Sequence, residues 1–146
     1  MEHQLTNEEK EALLAEPDPT YATELRNLIY LHFRLRHDVR CANLMELTWS
    51  QIDTSRGIVM LEDSHGEKRT LALSESLSTL LKDWKKRQSR EQQKRSQRSD
   101  IQAELVFTGL DGSSLDEEYL SKMVKTTAES AGIKEKVQAI IIHKDS

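Results

Sequence analysis

His37-Asp38-Val39-Arg40-Cys41-Ala42-Asn43-Leu44-Met45-Glu46-Leu47-Thr48-Trp49-Ser50-Gln51-Ile52-Asp53 decides the fold, because its periodicity changes midway. Val39, Ala42, Leu44, Met45 and Leu47 supply the apolar contacts of a short helix over about 39–46, with Arg40 at its start. From Ser50 the pattern turns β-prone. Ser50-Gln51-Ile52-Asp53, Gly57-Ile58-Val59-Met60-Leu61 and Lys68-Arg69-Thr70-Leu71-Ala72-Leu73 are three short runs of strand-forming residues. The turn signals Thr54-Ser55-Arg56-Gly57 and Asp63-Ser64-His65-Gly66 separate them. Short connections of this kind predict a three-stranded antiparallel meander.

Downstream, Ser74 or Ser76 is placed to cap a helix with Leu77, Leu80, Leu81 and Trp84 on one face. Its continuation is polar, and 88–102 is low enough in apolar content to be expected mobile. Leu105-Val106-Phe107 reads as a short buried stretch and Gly109-Leu110-Asp111-Gly112 as a turn. A last amphipathic helix follows over 115–131, with Gly132 as its C-cap. Upstream, Thr6 and Glu9 make a capping box for a helix that Pro17-Asp18-Pro19 stops near Glu16. Thr20 is expected to cap the next helix, 21–36, whose Leu25, Leu28, Ile29, Leu31 and Leu35 form a buried stripe. The expected fold class is α+β, mainly helical, in a single domain over 1–146.

Aromatics make up 5% of the chain and charged residues 32%, so the core must rest on Leu, Ile, Val and Ala. Cys41 is the only cysteine, which excludes an internal disulfide or a cysteine-based zinc site and suits a reducing compartment. The first residues lack a basic and then apolar signal-peptide pattern, and no apolar run approaches the roughly 18 residues of a membrane span. A cytoplasmic protein without membrane partners is the expectation. Net charge is −4, mildly against a polyanionic partner, but its distribution is uneven. Between residues 82 and 99, Lys82, Lys85, Lys86, Arg87, Arg90, Lys94, Arg95 and Arg98 face only Asp83 and Glu91. That island carries +6 and leaves −10 for the remainder. Asymmetry of this size matters more for an electrostatic footprint than the total.

The segment 37–53 resembles the tyrosine recombinase (phage integrase) pattern T-G-L-R-x-S-E-L-L-x-L-x-W-x-D-I-D at Arg40, Leu44, Leu47, Trp49, Ile52 and Asp53. Leu5-Thr6-x-Glu8-Glu9 is similar to the L-T-x-E-E that opens that catalytic domain. Arg69-Thr70-Leu71-Ala72-Leu73-Ser74 is similar to the R-x-V-P-L-S that ends its hairpin. Leu105-Val106-Phe107, Leu115 and Ala131-Gly132-Ile133 match its later landmarks, so the resemblance spans nearly the whole chain in the right order.

The resemblance implies DNA breaking and rejoining without metal or ATP, through a tyrosine that attacks the scissile phosphate. Charge developing on the phosphoryl oxygens needs preorganised donors, and guanidinium forks suit that task. Arg40 matches the first of the family's two arginines, a phosphate clamp. Other positions depart from the pattern. Asn43 stands at the glutamate position, the hairpin lysine position falls on Ser64 beside His65, and Lys68 reaches it only if the register slips. Ile140 and His143 stand where the H-x-x-R motif has its His and Arg. Tyr21, Tyr30 and Tyr119 do not match the nucleophile, so the chain reads as truncated before the catalytic tyrosine.

The function implied is a DNA-binding fragment of the DNA recombination and integration machinery of a mobile element, catalytically inactive as the chain stands. Candidate DNA contacts are Arg40, Lys68, Arg69, Lys85, Lys86, Arg87 and Arg90. Four to six phosphate contacts give a log–log salt slope of about −4 to −5. The alternative is a self-associating module, a homo-oligomer or a partner of an intact recombinase, joined through the uncharged β-branched segment 137–142. A complete enzyme of another class finds no nucleophile–base pair to support it. No cofactor or metal is expected. His3, His32, His37, His65 and His143 lack ligand spacing, and none of the five glycines forms a phosphate loop.

Overall fold

A computed structural model describes residues 5–62, 65–95 and 104–133. Ser64, Arg98, the segment 137–142 and His143 lie outside the described residues. The chain forms two compact units, one of Met1–Ala42 with Asp116–Ser146 and one of Asn43–Leu115.

The first unit is helical. Helix α1 (Asn7–Leu14) begins with the expected capping box: Glu9 N donates to Thr6 Oγ1 at 3.1 Å, and Thr6 N donates to Glu9 Oε1 at 2.8 Å. Helix α2 spans Ala22–Arg36, but Thr20 is not its cap. Asp18 Oδ1 takes the Thr20 N–H at 3.0 Å, and Tyr21 N donates to Asp18 O, a local turn that delays the helix by one residue. Tyr21 is the N-cap and offers no side-chain bond; Glu24 reaches back to the Asp18 N–H instead. All five leucine and isoleucine positions of the expected stripe are buried, and so are Arg26, Tyr30, Phe33 and Arg34. A helix buried on this much of its circumference is a core helix rather than a surface one.

Helix α5 (Glu117–Ala131) completes this unit, packing on α1 and burying Leu120, Val124 and Ala128. It starts two residues later than expected because Asp116 caps it, accepting from Tyr119 N at 2.7 Å. Gly132 ends it with φ 78°, and Ile133 N returns to Ala128 O at 2.9 Å, a Schellman closure. Arg26, 3% exposed, donates twice to Asn27 Oδ1 and once to the Tyr119 hydroxyl, with the Tyr119 ring 5.2 Å from its guanidinium. Burial pulls the Arg26 pKa down and the Tyr119 contacts oppose that shift.

In the second unit a meander β1 (Ile52–Asp53), β2 (Ile58–Glu62) and β3 (Lys68–Ala72) is antiparallel throughout, in the order β1-β2-β3. Val59 and Leu61 point inward, Met60 and Glu62 outward. Asp53 Oδ1 holds the first turn by accepting from Ser55 N and Arg56 N. The expected first strand is shortened. Trp49–Gln51 form a 3₁₀ turn because Gln51 Oε1 takes the Thr48 N–H while Gln51 Nε2 donates to Met60 O. Ser50 and Gln51 are therefore not strand residues.

Ser74 caps helix α4 (Glu75–Arg95), its Oγ accepting from Leu77 N. The mobile stretch expected from Gln88 onward is, through Arg95, the second half of this helix; 96–102 lie outside the described residues. Gln88, 3% exposed, is the reason. Its Oε1 accepts from Trp49 Nε1 at 2.8 Å, and its Nε2 lies 2.9–3.2 Å from Leu105 O, Val106 O and Thr108 Oγ1. Trp84 Nε1 donates to the same Val106 carbonyl at 2.7 Å. The stretch 104–106 runs antiparallel to 47–49, with Trp49 N bonded to Glu104 O and Val106 N to Leu47 O.

Candidate nucleic-acid interface

Arg40 is set by its neighbours. Helix α2 ends at Arg36 with His37 as its C-cap, Asp38 takes a left-handed φ of 59°, and Val39 N donates to Phe33 O at 3.0 Å. Val39 and Cys41 are each 1% exposed while Arg40 between them is exposed. The backbone is thus anchored on both sides of a guanidinium that stands in solvent, which limits the entropy lost when a phosphate is bound. Arg40 precedes helix α3 (Cys41–Met45) by one residue, so the helix begins two residues later than expected.

The left-handed residue explains a feature of the sequence pattern. Asp38 stands where T-G-L-R has its glycine, and glycine adopts positive φ without strain, whereas Asp tolerates it and β-branched residues do not. Asp38→Gly is expected to fold normally. Asp38→Val is expected to cost about 1–3 kcal/mol, read as a lower urea midpoint. Equal midpoints for the two variants would contradict this placement.

Two histidines lie near Arg40 in the chain. Burial, and then the neighbouring His37, lower the pKa of His32 below its usual 6.5. Burial, and then Arg36, do the same to His37. Both are therefore mainly neutral at pH 7, and the cations of this turn are Arg36 and Arg40. Arg36 is paired with Glu11 of α1.

The remaining candidates belong to the second unit. Asn43, in place of a carboxylate, donates its amide to Glu62 O at 2.5 Å and so ties α3 to the end of β2. Lys68 pairs across the hairpin with Glu62, and Arg69 with Leu61. Directly opposed residues share a face, and faces alternate along a strand. Lys68 and Arg69 therefore leave opposite faces of the hairpin, although both are exposed.

Helix α4 sorts its cations in the same way. Leu77, Leu81, Trp84, Gln88 and Gln92 are its buried stripe. Lys85 lies on one flank, its Nζ 5.4 Å from the centre of the Trp49 ring. Arg87 lies on the other flank, 3.7 Å from Asp83. Lys82, Lys86 and Arg90 fall four residues apart and are exposed. Lys85, Lys86, Arg87 and Arg90, adjacent in sequence, are spread by the helix over its two flanks and its outward side. The i, i+4 spacing of Lys82, Lys86 and Arg90 is visible in the sequence, and Lys82 is not among the expected DNA contacts.

Of the three tyrosines, Tyr30 is buried, Tyr119 bonds Arg26, and Tyr21 is exposed at the start of α2. Among the described residues no group of three or more His, Cys, Asp or Glu side chains is placed to hold a metal ion. Among them, too, no helix is long and apolar enough to cross a membrane.

The phage integrase family model matches residues 3–144. Among solved structures, the chain is similar to XerA recombinase at 18% identity and a TM-score of 0.76, over 98% of this chain and 48% of that one. It is also similar to XerH site-specific recombinase bound to its difH substrate in a pre-cleavage complex, at 22% identity and a TM-score of 0.75, over 99% and 41%. A post-cleavage complex of XerH with a palindromic difH substrate gives 20% identity and a TM-score of 0.72, over 97% and 40%. The expected fold class, helices with a small antiparallel sheet, is thus the fold of these recombinases. The chain spans less than half the length of each. No curated protein matches it in sequence.

Proposed function

The chain belongs to the phage integrase family, and on that premise we propose that it binds duplex DNA through backbone phosphates, with Arg40 as a phosphate clamp, and does not cleave the strand by itself. The observation that carries the reading is the anchored, exposed setting of Arg40, fixed by buried Val39 and Cys41. A guanidinium held this way meets two phosphoryl oxygens with a rigid fork, which an ammonium does not. The binding part of the reading also draws on the similarity to XerH, whose structures hold its difH substrate.

The non-cleaving part rests on the chain's own tyrosines. Tyr30 is enclosed, and the Tyr119 hydroxyl is held by a buried arginine. Neither is a free nucleophile, and the exposed Tyr21 stands at the start of α2, a position that does not match the family's nucleophile. Asn43 commits its amide to Glu62 O, and Ser64 carries no ammonium to protonate a leaving oxygen.

Arg40→Ala is expected to weaken duplex binding about tenfold at ~0.1 M salt, the worth of one phosphate contact. Arg40→Lys should recover part of that loss. With a nicked duplex that traps covalent intermediates, no protein–DNA adduct should form. Unchanged affinity in Arg40→Ala would sink the clamp, and a covalent adduct would sink the non-cleaving assignment.

The alternative, self-association through 137–142, has its support in the β-branched composition of that segment. A strict monomer in light scattering at high concentration would count against it.

A further inference from the structure

We propose that the outward row Lys82, Lys86 and Arg90 of α4 is a second phosphate-binding face, distinct from Arg40, that takes the backbone of duplex DNA irrespective of sequence. The inference rests on the DNA-binding reading above and deepens it by naming the surface and the kind of contact.

Geometry makes the row. At 3.6 residues per turn, positions 82, 86 and 90 lie on the side of α4 away from its buried stripe of Leu77, Leu81, Trp84, Gln88 and Gln92. Consecutive members stand about 6 Å apart along the axis, and the row is about 12 Å long. Phosphates of one DNA strand advance about 3.4 Å per nucleotide, so the row covers three to four steps of one strand. The platform beneath is fixed, because Trp84 and Gln88 bond Val106 O, Leu105 O, Thr108 Oγ1 and the Trp49 indole.

Neighbouring groups sharpen it. The two acidic residues of this half of the helix have cations of their own, Asp83 with Arg87 at 3.7 Å and Glu91 with Lys94 at 3.9 Å. Lys85 is turned onto the Trp49 ring. Like charges four residues apart on a helix repel. Two such pairs in series weaken the free helix, and a polyanion relieves the repulsion.

The chemistry selects duplex backbone. Single-strand binders stack bases on exposed aromatic side chains, and α4 has only Trp84, which is fully buried. Two of the three cations are lysines on flexible stems, which act as point charges and carry no bidentate base readout.

The test compares Lys82→Ala/Lys86→Ala/Arg90→Ala with a control of equal charge change, Arg56→Ala/Lys122→Ala/Lys125→Ala, all exposed positions elsewhere. Probes are short duplexes of two unrelated sequences and one single strand of the same length. The row variant should lose about 2–3 units of log–log salt slope, alike on both duplexes, and bind about 10²–10³-fold more weakly at ~0.1 M salt. Its thermal midpoint without DNA should not fall, and the control should keep the parent slope. An unchanged slope, an equal loss in the control, or tighter binding to the single strand would overturn the inference. If the parent chain binds and only Arg40→Ala weakens it, this inference fails and the reading above stands. If the parent binds no DNA, both fail.

Discussion

Trp84→Ala is expected to lower stability by about 3–5 kcal/mol, the usual cost of truncating a fully buried Trp. Trp84 is 0% exposed and is among the largest enclosed side chains of the chain. Its removal leaves a cavity under α4 and withdraws the indole donor from Val106 O. Domains are typically stable by only about 5–15 kcal/mol, so this variant sits near the unfolding threshold. Trp84→Phe keeps much of the volume, and Val106 O retains Gln88 Nε2 at 3.2 Å; a loss of about 1–2 kcal/mol is expected. Urea unfolding followed by the remaining Trp49 fluorescence measures both. An alanine variant within 1 kcal/mol of the parent, a limit well below the usual range, would mean that Trp84 is not enclosed.

The second large effect is at Gln88. Gln88→Leu keeps the approximate size of the side chain while removing a donor and an acceptor from a buried network. Trp49 Nε1 loses its acceptor, and Leu105 O and Thr108 Oγ1 lose a donor. Trp49 Nε1 and Leu105 O are partly buried, and an enclosed polar group that loses its partner costs about 1–3 kcal/mol, so a total near 3 kcal/mol is expected. Gln88→Glu should be milder at the Trp49 end, where a carboxylate still accepts, and costly at the carbonyl end, where it cannot donate. Amide exchange offers a local readout. The Trp49 and Val106 amides, bonded to Glu104 O and Leu47 O, should lose protection in Gln88→Leu before those of β2. Unaltered stability would remove Gln88 from the framework.

These two residues also mark where the sequence stopped being legible. Local chemistry could be read directly: the Thr6–Glu9 box, the glycine closure of α5 and the meander all follow from residues a few positions apart. Gln88 could not be read that way, because its partners lie 17–39 residues away and its neighbours are a run of polar side chains. The pairing of 104–106 with 47–49 is hidden for the same reason. Ser50 and Gln51 failed differently: a local capping bond competed with strand formation and won. So did Thr20, whose N–H bonds Asp18 Oδ1 in a local turn, and the helix starts after Tyr21 instead.

The candidate site shows the same division. Arg40 was legible from its motif, and the left-handed Asp38 accounts for the glycine that the motif carries at that position. The basic island was legible as composition but not as surface. Only the helix phase separates Lys85, over the Trp49 ring, and Arg87, beside Asp83, from Lys82, Lys86 and Arg90 on the side away from the buried stripe. Likewise only the register puts Lys68 and Arg69 on opposite faces of the hairpin.

DNA binding through backbone phosphates has a steep salt dependence as its signature. Its most direct test is the affinity of the unmodified chain for a short duplex, by fluorescence anisotropy, across ~50–200 mM salt. A straight log–log line with a slope of about −4 to −5 is expected. A flat line, or no binding at ~50 mM salt, would contradict it.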